Sequence, residues 1–182
     1  MTGERSVAAT ILGAALFAAE KHSTQRRKDA AASPYITHPV AVAEVLARHG
    51  VSDPVVLQAA LLHDTLEDTD TTADELQQIF GPSVTGLVLE VTDDKTLDKA
   101  ERKRLQIVNA PGISDAAKLV KLGDKICNVV DMAASSPVGW PISRRVEYLD
   151  WTEQVMRGCR GVNAGLEEEY DRVLAEARSL VR

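Results

Sequence analysis

Cysteine is scarce in this chain. Cys127 and Cys159 are the only two among 182 residues. They make neither a disulfide framework nor a CxxC zinc pattern. We read them as reduced, partly buried thiols of a cytoplasmic protein. Long apolar runs are also missing, and no segment is uninterrupted enough to cross a membrane. An excess of positive charge is missing too. The 21 Lys and Arg against 27 Asp and Glu leave a formal net charge of −6, whereas whole-protein nucleic-acid binders are normally basic. The expected partner is therefore a small molecule, with no nucleic acid and no membrane. An anionic substrate stays open wherever basic residues cluster locally. There is no internal repeat, low-complexity tract or domain-scale linker, and nothing in the composition fixes an oligomeric state. What is present is 45% hydrophobic and 26% charged residues, the make-up of one globular domain.

The hydrophobic pattern is helical throughout. Arg5 and the apolar run 7–19 have the outline of a signal peptide, but Glu4 sits in the would-be basic region. Val7, Ile11, Ala14 and Ala18 share one helical face, and Glu20, Lys21 and His22 continue it, so the run reads as the first helix. The polar stretch 23–33 reads as a loop. Pro39 suits a helix N1 position, followed by Val42, Val45, Leu46 and His49, with Gly50 as the C-terminal cap. Asp53 and Pro54 open a helix whose body, 55–62, is apolar nearly all round, which marks a buried element. Thr72 and Glu75 form a capping box for a helix that stops at Gly81. Val84, Leu87, Val88 and Val91 make a further stripe. Long helices are expected over about 114–133, 143–159 and 163–181. No segment alternates convincingly at period two, so the fold class is all-α, a helical bundle.

Three stretches carry chemistry. The buried helix ends in His63-Asp64-Thr65-Leu66-Glu67-Asp68. Glu67 lies one helical turn beyond His63, and Asp68 one turn beyond Asp64. Metal ligation is one physical reason to gather such charge at the end of a buried helix. Emergence of the helix into solvent is the other, and the spacing alone leaves both open. In Pro34-Tyr35-Ile36-Thr37-His38-Pro39, His38 sits just before a helix-starting proline, where a lone imidazole is more often a cap or core residue. In Lys121-Leu122-Gly123-Asp124-Lys125, the residues Leu119, Leu122, Ile126 and Val130 face one way. Lys121, Asp124, Asn128 and Asp131 share the other side, which by default is a solvated face. Spacing alone does not single out Asp124. Basic residues cluster in Arg26-Arg27-Lys28 and in Lys95, Lys99, Arg102, Lys103 and Arg104. Such runs gain functional meaning only where they flank an anion site.

Taken together, the stretches AALFAAEKH, QRRKD, PYITHP, VLQAALLHDTLEDTDTT, EVTDDKTL, ERKRLQ and AKLVKLGDKICN resemble the HD-domain phosphohydrolases. The resemblance is strongest to the small alarmone hydrolases, of the metazoan type, related to the hydrolase half of the Rel/Spo enzymes. It runs in order from about Ala14 to Asn128, with weaker similarity at Gly139-Trp140 and Glu147-Tyr148. It implies a single HD hydrolase domain over 1–182, with a motif core at about 14–131 and C-terminal helices over 143–181. It implies that His38, His63, Asp64 and Asp124 bind one divalent ion, typically manganese. Glu67 and Asp68 would position and activate the attacking water. Arg27 and Lys28 would contact the guanine end of the substrate, and Lys95, Lys99 and Asn128 its phosphates or ribose. The chain departs from the pattern at Gly123, Cys127 and Val130, where relatives often carry a larger or more polar residue.

The implied activity is hydrolysis of guanosine 3′,5′-bis(diphosphate), ppGpp or pppGpp, to GDP or GTP and pyrophosphate. The chain is far too short to carry the synthetase and regulatory domains of the long Rel/Spo enzymes. Two imidazoles and two carboxylates suit manganese and would also accept iron, cobalt or zinc. Competing readings on the same scaffold are removal of the 2′-phosphate of NADPH and cleavage of other nucleotides. A catalytically silent alarmone-binding module would lack a ligand or an acid, and none is missing here. A purely structural helical protein would hold no metal.

Overall fold

The computed structural model of the chain describes residues 6–134 and 139–181; Glu4 and Arg5 lie outside them. Its regular structure is helical: α1 (Val7–Lys21), α2 (Thr37–Arg48), α3 (Pro54–Leu62), α4 (Thr65–Asp68), α5 (Ala73–Val91), α6 (Lys99–Asn109), α7 (Asp115–Ala134), α8 (Ile142–Cys159) and α9 (Ala164–Leu180). A 3-10 turn, Ala110–Gly112, follows α6. Among the described residues there is no strand, only an isolated antiparallel bridge between Arg26 and Pro34. The fold class is all-α, as expected, and no helix of the described residues is long and apolar enough to cross a membrane.

Short polar side chains start most of these helices by accepting otherwise orphaned N–H groups. Ser6 accepts from Ala9, Asp53 from Val55, Thr72 from Glu75, Asp98 from Glu101 and Asn163 from Leu166. The capping box at Thr72 is only half formed, because the Glu75 carboxylate turns to Lys21 instead, at 3.1 Å. Helix α2 begins two residues before Pro39, at Thr37, whose N–H donates to Pro34 O. A proline in the first turn loses nothing there, since the first N–H groups have no partner within the helix. Gly50 caps α2 at φ +83°, and Gly81 splits α5 at φ +82°, a backbone region that a side chain disfavours. The stripe Val84, Leu87, Val88 and Val91 is buried beyond that break.

Helix α3 lies at the centre, packed by α1, α2, α5 and α7. Every residue from Val56 to Leu62 is buried. Truncating a fully buried leucine such as Leu62 to alanine costs about 2–5 kcal/mol. Of the expected α1 face, Ala14 and Ala18 are fully buried, while Val7 is exposed. Helix α7 departs from expectation more. It packs against α2, α3, α5, α8 and α9, so it has no broad solvated side. Lys121, assigned to the solvated face, is buried, and Val130, assigned to the apolar face, is 42% exposed. Gly123 is where α7 and α2 approach closely. A Cβ there would lie 3.1 Å from Val42 Cγ1 and 3.2 Å from Leu46 Cδ2, so the departure at this position is a matter of packing. Helix α6 was not anticipated. It buries no residue, so no apolar stripe announces it.

Candidate active site

Four side chains from three parts of the chain converge where α3 ends. His63 terminates α3, and its Nδ1 donates to Ala60 O at 2.8 Å. A carbonyl oxygen only accepts, so Nδ1 carries a proton, and Nε2 is the nitrogen turned toward the two carboxylates. Nε2 is buried and makes no hydrogen bond. It lies 3.2 Å from Asp64 Oδ2 and 3.8 Å from Asp124 Oδ1. His38, in the first turn of α2, places Nε2 3.1 Å from Asp124 Oδ1 and 3.8 Å from Asp64 Oδ2. The ligand atoms of His38, His63 and Asp124 all lie within 4.8 Å of one another. Ligands of one ion at about 2.1 Å stand about 3 Å apart, so this spacing and the orphaned His63 nitrogen fit a divalent cation. The structure thus gathers three of the four expected metal ligands in one cluster and sets the fourth, Asp64, against both imidazoles.

The electrostatics follow from burial. For His38 desolvation wins and lowers its pKa, although Asp124 opposes it. For His63 desolvation is overcome by Asp64 and Asp124, which hold its pKa well above the ordinary imidazole value. Burial also works against charge on Asp124, but Lys125 and the two histidines keep its carboxyl well below the usual range. Buried Lys125 holds Asp124 Oδ2 at 2.9 Å and lies 4.8 Å from the Trp151 ring. Asn128 donates to Asp124 Oδ1 at 2.5 Å. Tyr35 donates its hydroxyl to Asp64 Oδ2 at 2.5 Å, and burial with Asp64 beside it pushes the phenol far up, so it stays a donor.

The two further acids sit just beyond, on the separate turn α4. The chain is thus broken after Leu62 rather than continuing as one helix, although Asp68 N still bonds to Asp64 O at 2.9 Å. Burial, then Asp93 and Asp64, raise the Glu67 carboxyl above its ordinary value. A raised carboxylate is a better proton acceptor near neutral pH. Glu67 is flanked by Arg102 at 3.5 Å and Lys95 at 3.7 Å. Lys95 also bonds to Asp68 Oδ1 at 2.6 Å.

A cleft of about 470 Å³ opens beside these groups, lined by Arg27, Lys28, Tyr35, Asp68, Asn128, Trp140 and Tyr148 among others. Arg27 pairs with Asp131 and lies 5.8 Å from the Tyr35 ring. Lys99 is exposed at the start of α6 and is not among the residues lining the cleft. Residue-by-residue reading gave no role to Tyr35, Gln25, Lys125 or Arg102. All four sit inside stretches that carried the resemblance, at QRRKD, PYITHP, ERKRLQ and AKLVKLGDKICN, but what each one touches shows only in the fold.

The family model that matches this architecture, described as HD domain, covers residues 14–146. The chain belongs to the HD domain family. Among its relatives is the guanosine-3′,5′-bis(diphosphate) 3′-pyrophosphohydrolase MESH1 of Homo sapiens, 57% identical over 164 residues, which are 90% of this chain and 92% of that protein. The Mus musculus protein of the same name is 54% identical, covering 94% of this chain and 96% of its own length. A solved structure described as a metazoan ortholog of SpoT that hydrolyzes ppGpp and plays a role in starvation responses superposes with a TM-score of 0.91. It is 44% identical and covers 98% of this chain and 99% of that one.

Proposed function

We propose that this chain is a metal-dependent ppGpp 3′-pyrophosphohydrolase, one domain over 1–182, acting in the cytoplasm. The observation that carries the reading is the cluster of His38, His63 and Asp124, with Asp64 Oδ2 facing both imidazoles and His63 Nε2 orphaned, beside a cleft lined with cations and flat rings. Relatives named for this activity at 57% and 54% identity support it.

His38, His63, Asp64 and Asp124 would hold one divalent ion, with manganese our choice; such an ion lowers the pKa of water and offsets phosphoryl charge. Glu67, its carboxyl raised, takes the proton from the attacking water while Asp68 orients it. The water oxygen bonds to the phosphorus on the 3′ oxygen, and the bond from that phosphorus to the 3′ oxygen breaks. The displaced 3′ oxygen gains a proton to become a hydroxyl, so GDP or GTP remains and pyrophosphate is released. Arg27 stacks on or pairs with the guanine end, as planar guanidinium groups do, and Lys28 lies beside it. Lys95 and Asn128 meet phosphate or ribose, and Lys99 adds positive potential from further out. Cys127 takes no part: burial and the nearby Asp124 push its thiol up to about 12, where it is a poor nucleophile.

The test is incubation of purified protein with ppGpp and manganese, with and without EDTA. GDP and pyrophosphate, lost on chelation, are expected. Intact ppGpp alongside rapid phosphate release from NADPH would refute the substrate assignment.

A further inference from the structure

The loop from α1 to the metal ligand His38 begins with a histidine that metal binding does not use. His22 is 2% exposed. Its Nδ1 lies 2.5 Å from Gln25 Oε1, and its ring packs on Tyr35 with 4.8 Å between centroids. Its Nε2 is buried without a hydrogen-bond partner among the described residues. Gln25 is tied down by its backbone: its N–H donates to His22 O at 3.0 Å, and its carbonyl accepts from Tyr35 N at 3.1 Å. Its side-chain Nε2 reaches Asp68 Oδ2 at 3.5 Å.

Chemistry fixes how this chain of groups is oriented. An ionised carboxylate only accepts hydrogen bonds, so the end of Gln25 facing Asp68 is its NH2. Oε1 then faces His22, and the ring nitrogen opposite it must carry the proton. The remaining nitrogen, Nε2, is left as a lone pair, which is cheaper to bury unpartnered than an N–H. Asp68 is thereby gripped on both oxygens, Oδ2 by Gln25 and Oδ1 by Lys95 at 2.6 Å. The Gln25 contact is long, as catalytic hydrogen bonds often are before substrate arrives.

We propose that His22 and Gln25 are positioning residues for the hydrolytic step, holding Asp68 in the orientation in which it steers the attacking water. The inference rests on the reading of Asp68 given above. Partners of this kind, one layer behind the reacting groups, typically control rates by about ten- to a hundredfold.

Two measurements test it. The first needs no turnover. A long-range proton–nitrogen correlation spectrum of the holoprotein reads the tautomer of His22, expected as Nδ1–H. Asp68→Asn can offer its own NH2 to Gln25, which frees the amide to flip, so His22 should shift toward the Nε2–H form. An Nε2–H tautomer in the wild type, or the same tautomer in both proteins, overturns the proposal. The second is kinetic. Gln25→Glu keeps an acceptor for His22 but sets a carboxylate against Asp68. Its kcat on saturating ppGpp should fall about tenfold or more, with KM changing less and with metal content and melting temperature kept. An unchanged kcat, or a loss confined to KM, also overturns it. A wild-type protein inert on ppGpp would defeat the functional reading instead, and the tautomer result would still decide the positioning role.

Discussion

The metal-facing end of the site and the cleft beside it both gather charged side chains, yet they handle charge differently. At the metal end, the Nε2 atom of each of two imidazoles lies 3.1 to 3.8 Å from an oxygen of Asp64 and of Asp124, and His63 Nε2 makes no hydrogen bond. Around the cleft the charges answer one another: Arg27 engages Asp131 within it, and Lys95 joins Glu67 to Asp68, which lines it. Half-exposed pairs of the second kind are worth about 0–1 kcal/mol and exchange partners readily. Buried groups of the first kind are costly unless something completes them. The metal end is therefore suited to a cation, whereas the cleft has internal partners that a substrate can replace.

Changes at the metal end should have the largest effect. Asp64→Ala should abolish bound metal and turnover while the helical circular dichroism survives. Near-normal metal content in that variant would show the ligand assignment to be wrong. Next comes the border between the regions. Glu67→Gln keeps shape and removes the basic oxygen, so metal should stay and kcat should fall on the order of a hundredfold or more. Loss of metal there would instead make Glu67 a ligand. Within the cleft, Arg27→Ala combined with Lys28→Ala should raise KM for ppGpp much more than it lowers kcat. Added salt should weaken wild-type binding in the same direction, since exposed charge contacts are screened. An unchanged KM at low ionic strength would leave the guanine-end assignment without support. The smallest effect is expected from Asp131→Asn. It frees Arg27 from its internal partner and should lower KM by at most about fivefold, the scale of one exposed ion pair. A raised KM would mean that Asp131 aims Arg27 rather than competing for it.

The same division governed what could be read from residues alone. The apolar body of α3 and its abrupt ending at His63 and Asp64 were plain, because a helix buried on all sides leaves no other pattern. Asp124 was not plain. Lys121, Asp124, Asn128 and Asp131 share one side of α7 and resemble a solvated face, but five other helices pack around α7, and Lys121 is buried there. Only the resemblance of the KLGDK stretch singled out Asp124. Helix α6 left no apolar signal because polar contacts hold it: Arg102 to Glu67, and Trp151 Nε1 donating to Lys103 O at 3.0 Å. His22 and Gln25 lie inside the AALFAAEKH and QRRKD stretches, but their link to Asp68 could not be read from them. Asp68 lies 43 positions beyond Gln25, and only the fold brings them together.

The central claim is that four side chains of this chain are incomplete without a cation. Calorimetric titration of manganese into chelator-stripped protein tests it most directly, with the melting temperature followed in parallel. The account predicts one ion per chain and a higher melting temperature on binding, both lost in Asp124→Ala. No binding, or binding that is unchanged in Asp124→Ala, would contradict it.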